Sequence, residues 1–241
     1  MPNYFIKSSC INGRNCSITG NDFYHITRSR RVSKGDTLAL VDENGYRFSA
    51  LVENIAPDSI ICSVEPIDLV EDEPFQLCLY AALLKGKKFD LVIRKAVEAG
   101  IHRIVPVITE RCVVDYSEKI GAKNTRWRRI AEEAAKQSLR RRVPDVENIR
   151  SFTDVIADNW DEHERIIAHI NGGDFRTYAR SVSSPRSAGV IIGPEGGFSE
   201  SELETAQKAG WRRLAFGFPQ MRAETAAVII TALMIYEWGA A

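Results

Sequence analysis

The hydrophobic pattern of the chain changes near residue 74, and that change restricts the possible folds more than any other feature. Before it, apolar residues fall in short β-prone runs: Tyr4–Lys7, Thr37–Asp42, Tyr46–Asn54 and Ser59–Glu65. Branched and aromatic side chains favour strands because they pack well on a pleated surface. Asn44-Gly45 between two of the runs marks a hairpin, since both residues tolerate positive φ. Asn21–Arg31 is the one helical stretch here, with Arg28, Arg30 and Arg31 near its end, where cations suit the helix dipole. Residues 1–73 are therefore expected to form a small β-barrel with one helix. The acidic, proline-bearing stretch Val70–Pro74 reads as the linker.

After the linker, strand and helix patterns alternate over residues 74–241. Phe75–Leu84 is a continuous apolar run. Phe89–Ala99 is helical, and Gly100 ends it before the strand Arg103–Ile108. Arg126–Arg140 is a helix with Trp127, Ile130, Ala131 and Ala134 on one face. Arg165–Ile170, Gly189–Ile192 and Arg213–Phe216 read as strands, and Ser199–Ala209 as a helix ended by Gly210. Ala223–Trp238 is a helix apolar almost all round, which requires burial in a core or against a partner. Alternation of this kind implies an α/β unit built on a parallel sheet, with ligand sites beyond the strand C-termini.

Charge and composition exclude several classes. With 44% hydrophobic residues and 32 basic against 32 acidic side chains, the chain is not disordered. Five cysteines without a C-x-x-C pair argue against a disulfide framework or a zinc site and for a reducing cytoplasm. The start lacks an apolar signal region, and no window is long and apolar enough to span a membrane. The neutral total hides a positive middle: residues 84–150 carry 17 basic and 9 acidic side chains, net +8. Arg126, Arg128, Arg129, Lys136 and Arg140–Arg142 make this run dense, which suits either a solvated helix face or a polyanion surface.

The strongest local signal is Gly189–Glu202: a strand, the loop Gly193-Pro-Glu-Gly-Gly197, and a helix opened by Ser199 with Glu202 as a capping box. The loop lacks both the phosphate-binding lysine of a P-loop and the spacing of a dinucleotide fingerprint. It suits a neutral, adenosine-like ligand held by backbone groups, or it is a plain turn. A second loop, Phe216–Met221, leads to Arg222 and Glu224 at the start of the apolar helix. No H-E-x-x-H, no G-x-S-x-G and no metal-ligand spacing is present, so metal catalysis and acyl transfer are not expected.

Taken together, these residues resemble the RsmE family of 16S rRNA uridine N3-methyltransferases. The resemblance rests on Ile192–Glu202, Lys85-Gly-Lys-Lys-Phe-Asp90, Thr109-Glu-Arg-Cys112, Arg126-Trp127, Glu133-Ala134, Gln137-Ser138 with Arg140, Arg142 and Pro144, and Arg222-Ala-Glu-Thr-Ala226. It runs nearly end to end. It implies a PUA-like RNA-binding barrel over 1–73 and a SPOUT domain over 74–241, with a trefoil-knotted parallel sheet. It also implies a homodimer acting on the small ribosomal subunit in the cytoplasm. S-adenosylmethionine would lie against His169, Ile170 and Asn171, against Ile192, Gly193, Pro194, Glu195, Gly196 and Gly197, and against Phe216, Gly217, Phe218 and Met221. Arg222 and Glu224 would be catalytic, Glu224 as a base or as the residue that orients Arg222. Arg28, Arg31, Lys88, Arg111, Arg140 and Arg142 would hold RNA. The family's usual Leu-Gly-x-Arg-Ile-Leu-Arg is here Phe216-Gly-Phe-Pro-Gln-Met-Arg222. Two alternatives remain: a SPOUT RNA-binding protein without activity, and a SPOUT methyltransferase with another rRNA target.

Overall fold

The computed structural model describes residues 3–30, 32–69, 74–113, 120–138, 140, 142–158, 163–183 and 185–239. At 21, 25, 28–30, 68, 69, 120 and 121 it describes the backbone alone. Arg31 and linker residues 70–73 lie outside the described residues, as does the side chain of Arg28. The chain divides into two compact units, Met1–Asp72 with Ala135–Val143, and Glu73–Ala134 with Pro144–Ala241.

The first unit is a curled sheet. Its strands are β1 (Asn3–Ile6), β2 (Ile11–Asn12), β3 (Asn15–Thr19), β4 (Thr37–Asp42), β5 (Tyr46–Ile55) and β6 (Ser59–Leu69), in the order β1-β4-β5-β6-β3-β2. β1 and β4 run parallel and the remaining pairs are antiparallel. Strand β3 alternates strictly: Cys16 and Ile18 point into the core, directly opposite Cys62 and Ile60. Helix α1 (Gly20–Arg30) closes the core with Phe23 and Ile26, three apart on one face. The predicted hairpin is present, with Gly45 at φ 86° and Asp42 Oδ1 accepting from the N–H groups of Asn44 and Tyr46. The late segment 135–143 belongs here as well. Lys136 pairs with Asp22 at 3.1 Å, and Asn3 Nδ2 donates to the carbonyl of Arg140.

The second unit is a parallel sheet between helices. Its strands are β7 (Gln76–Ala82), β8 (Arg103–Ile108), β9 (Asp145–Val146), β10 (Arg150–Ser151), β11 (Glu164–Asp174), β12 (Ser187–Ile192) and β13 (Arg212–Ala215). The order is β10-β8-β7-β12-β11-β13, with β9 on β8. Its helices are α2 (Lys88–Ala99), α3 (Ile120–Gln137, of which the last three residues count with the first unit), α4 (Phe152–Ala157), α5 (Phe175–Ser181), α6 (Glu200–Lys208) and α7 (Ala223–Trp238). Central β7 is buried on both faces from Leu77 to Leu84, which explains its unbroken apolar run. Cys78 and Tyr80 meet Phe152, Val155, Leu203 and Trp211, so α4 and α6 cover one face. Helices α2 and α7 pack on each other, and α7 against β7 and β12.

Two features of this unit position the site. Strand β11 pairs with Leu214 twice, at Ala168 and again at Gly173, so His169–Gly172 bulge out between the pairings. A Cβ on Gly172 would sit 2.5 Å from the backbone of Leu214, so only glycine fits there. Helix α7 buries Ala223, Ala227, Ile230, Thr231, Met234 and Trp238. Its other side leaves Val228, Ile229 and Leu233 half-buried and Tyr236 exposed, so the chain's own core covers only one face of the all-apolar helix.

Candidate functional site

A cavity of about 470 Å³ opens at the bulge of β11 and where β12 and β13 end. This is the C-terminal edge of the parallel strands, where the alternating pattern places ligands. Its walls come from three connections: the β11 bulge, the Gly-rich loop after β12, and the loop after β13. Ile192, Leu214 and Ile230 give it an apolar floor. Sites of this kind bind ligands by apolar burial plus a few placed polar groups.

The Gly-rich loop is braced from behind. Gly193 has no room for a side chain, because a Cβ there would lie 2.9 Å from the ring of Phe198. Gly197 takes φ 69° and donates to the carbonyl of Pro194. The motif Thr109–Cys112 forms a turn, closed by the Cys112 N–H on the Thr109 carbonyl, and sets Arg111 against the loop. Arg111 then donates to the carbonyl of Gly196 at 3.1 Å. The capping box of α6 is complete, and Glu110 accepts from the Ser199 hydroxyl at 2.7 Å. Lys88 donates to Glu195 Oε1 at 2.9 Å. Burial works to raise the Glu195 carboxyl. The Lys88 hydrogen bond and charge, with the N–H groups of Glu195 and Lys85, overcome it and hold the group below the usual carboxylate range. The same hydrogen bond raises Lys88.

The loop after β13 has far fewer supports. Phe216 stacks on Phe175, with ring centroids 4.4 Å apart. Gly217, Phe218, Pro219 and Gln220 are exposed. Arg222 lines the cavity, is exposed, and makes no ion pair among the described residues. Glu224 turns to Lys88, 3.7 Å away, with its side chain only 11% exposed. On the third wall, His169 Nδ1 accepts from the N–H of Asn171. Burial first, and the nearby charge of Arg213 second, push the His169 imidazole below its ordinary value.

Most of the expected ligand residues meet at this cavity: His169, Ile170, Ile192, Gly193, Pro194, Glu195, Gly197, Phe216, Phe218, Met221 and Arg222. Asn171, Gly196, Gly217 and Glu224 do not line it. Asn171 lies on the far side of the bulge, in a polar cleft with Arg212 and Arg213. Gly196 faces Arg111. Sequence reading missed Ala168, Phe198, Leu214, Ala215, Ala223, Ala226 and Ile230, and held Pro219 and Gln220 only as part of the second loop. The buried stripe of α7 carried a signal for Ala223 and Ile230, since it begins at the loop end. Of the expected RNA contacts, Lys88 and Arg111 both engage the Gly-rich loop. Arg140 and Arg142 lie in the first unit. The cysteines are free. Cys16 and Cys62 are buried, with burial as the main cause pushing their thiols up to about 12 and about 11, so they serve as core groups and not nucleophiles.

Comparison with known proteins bears on this geometry. An RNA methyltransferase domain matches residues 71–235, and an RNA methyltransferase PUA domain matches residues 18–65. The ribosomal RNA small subunit methyltransferase E of Bacillus subtilis is 29% identical over 98% of this chain and 97% of its own. The ribosomal RNA small subunit methyltransferase E 2 of Borreliella burgdorferi is 32% identical over 86% of this chain and 84% of its own. The solved structure of a ribosomal RNA small subunit methyltransferase E from Neisseria gonorrhoeae, bound to S-adenosyl methionine, is 26% identical with a TM-score of 0.87. It covers 99% of this chain and 98% of that one.

Proposed function

This chain belongs to the RNA methyltransferase family, and on that premise we propose that it transfers the methyl group of S-adenosylmethionine to N3 of a uridine in the 16S rRNA of the small ribosomal subunit. Its fold is a PUA-type curled sheet joined to a SPOUT-type α/β unit. The observation that carries the proposal is the cavity itself, walled by the three expected loops and lined by Arg222, which has no ion pair among the described residues.

The residues present fit the cofactor. Ile192, Leu214 and Ile230 offer an apolar floor, and Gly193 and Gly197 offer open backbone for a neutral adenosine group. When bound, S-adenosylmethionine supplies an electrophilic methyl group on a sulfonium. The chain's own residues do the rest. Uridine N3 carries a proton and is a poor nucleophile at neutral pH, and it lies on the pairing edge, so the base must be presented unpaired. Arg222 stabilises negative charge on the uracil carbonyls as the N3 proton leaves, a preorganised electrostatic role. Glu224 accepts that proton or sets the charge of its surroundings.

Arg140, Arg142 and the basic residues of 84–150 other than Lys88 and Arg111 hold phosphates, and such contacts position RNA without reading its sequence. The protein works in the cytoplasm as a homodimer. The half-buried Val228, Ile229 and Leu233 and the exposed Tyr236 of α7 support that pairing, because a partner would cover them. The trefoil knot implied by the resemblance belongs to the same proposal.

The test is methyl transfer from labelled S-adenosylmethionine to small subunits that lack N3-methyluridine, followed by primer extension. Label with one new stop is expected, because an N3 methyl blocks pairing. Label without a stop overturns the N3 assignment. No label on subunits or naked RNA overturns the activity.

A further inference from the structure

Lys88 touches two carboxylates from different elements: Glu195 of the Gly-rich loop, which lines the cavity, and Glu224 of α7, which does not. It opens α2, and its ammonium lies 2.9 Å from Glu195 Oε1 and 3.7 Å from Glu224 Oε2. The first contact is a hydrogen bond. The second is a charge contact, and Glu224 Oε2 is buried without a hydrogen-bond donor. A buried carboxylate without a donor is drawn to the nearest cation. Among the described residues two cations bear on this group: Lys88, and Arg222, whose charge is felt at Lys88 and which lies two residues before Glu224 at the extended N-cap of α7. Lys88 is pinned in place by Glu195, and it is the one that pairs with Glu224. Among the described residues Arg222, which lines the cavity, is left without an ion pair. Lys88 and Arg222 together balance Glu195 and Glu224, so the group is neutral with its guanidinium unspent.

We propose that Lys88 is a positioning residue of the methyl-transfer site: by pairing with Glu224 and Glu195 it keeps Arg222 free to meet the uracil. The proposal rests on the functional reading given above. It assigns Lys88 to the site and not to an RNA phosphate. Without Lys88, Glu224 would capture Arg222, and the cavity would lose its free cation while keeping its shape.

The experiment compares wild type, Lys88→Met and Lys88→Arg on small subunits, with S-adenosylmethionine affinity measured by calorimetry without RNA. Lys88→Met is expected to lower kcat roughly 10- to 100-fold. KM for subunits should stay within about twofold and cofactor affinity within about threefold. Lys88→Arg, which keeps the charge, should recover most of kcat. A raised KM with weaker salt dependence and an unchanged kcat makes Lys88 a phosphate contact and overturns the proposal. Equal loss in kcat, cofactor affinity and melting temperature, without rescue by Lys88→Arg, makes the role merely structural and overturns it too. If Lys88→Met does not fold, Lys88→Gln, which keeps a donor for Glu195 without the charge, gives the same readout. An inactive wild type fails the functional reading itself, whereas an active wild type matched by Lys88→Met fails only the assignment of Lys88.

Discussion

The Gly-rich loop and the Phe216–Met221 loop line one cavity, yet the chain supports them unequally. Behind the first stand Arg111, Lys88, the Phe198 ring and the capping box of α6. The second has the Phe175–Phe216 stack and a run of exposed residues, with no hydrogen bond from its side chains among the described residues. A loop with many internal partners holds its shape alone, and one with few opens at low cost. On the functional reading proposed above, the braced loop would preorganise a cofactor surface, while the bare loop would take its shape against ligand and substrate. Preorganisation on one side and adaptability on the other would let one cavity bind a small ligand firmly and still admit an RNA base.

The largest expected break of this contrast is Gly172→Ala. The added methyl would meet Leu214 backbone at 2.5 Å, and backbone cannot move aside as a side-chain tip can. The loss should be about 3 kcal/mol, read as a fall in melting temperature of roughly 6–12 °C. A fall under about 2 °C would mean the bulge is as adaptable as the bare loop. On the bare side, Arg222→Ala should lower turnover about 100-fold, near 2.7 kcal/mol, with cofactor affinity within about threefold. Equal losses in turnover and affinity would make Arg222 a binding residue.

Arg111→Ala removes the guanidinium bond to the Gly196 carbonyl. It should cost about 1 kcal/mol, seen as roughly fivefold weaker S-adenosylmethionine binding. Phe218→Ala, on the exposed loop, should change melting temperature by less than about 2 °C. A large drop there would show hidden support and dissolve the contrast. The smallest effect is with pH. His169 is pushed below the ordinary histidine value of 6.5, by burial first and Arg213 second, so the unfolded chain binds a proton more readily than the folded one. Stability should therefore fall as pH drops below about 6.5, and His169→Gln should flatten that part of the melting curve against pH.

Much of the braced side was legible in the sequence. Ser199 and Glu202 announce their capping box, Gly100 its αL cap, and Ala223–Trp238 its helix, because each depends on neighbours in the chain. What depends on distant residues was not legible. Lys88 and Arg111 read as part of a basic run, and a charge count does not say which way a side chain turns. Short elements with little periodicity went unread: β3, paired through Cys16 and Ile18, and α4 and α5, of six and seven residues. Ala135–Val143 was placed after the linker by its position in the alternation. Its contacts to Asp22 and Asn3 put it in the first unit, and those span more than a hundred residues of sequence.

The Lys88–Glu195–Glu224 contacts also bear on when the protein can become active. Lys88 leaves the ribosome well before Glu224, and at ordinary synthesis speeds the interval is on the order of ten seconds. Through that interval the growing chain carries Lys88 without α7, so the Glu224 contact cannot yet form. On the functional reading proposed above, a chain still short of α7 would leave the ribosomes around it unmodified, and the order of translation would itself guard against premature modification.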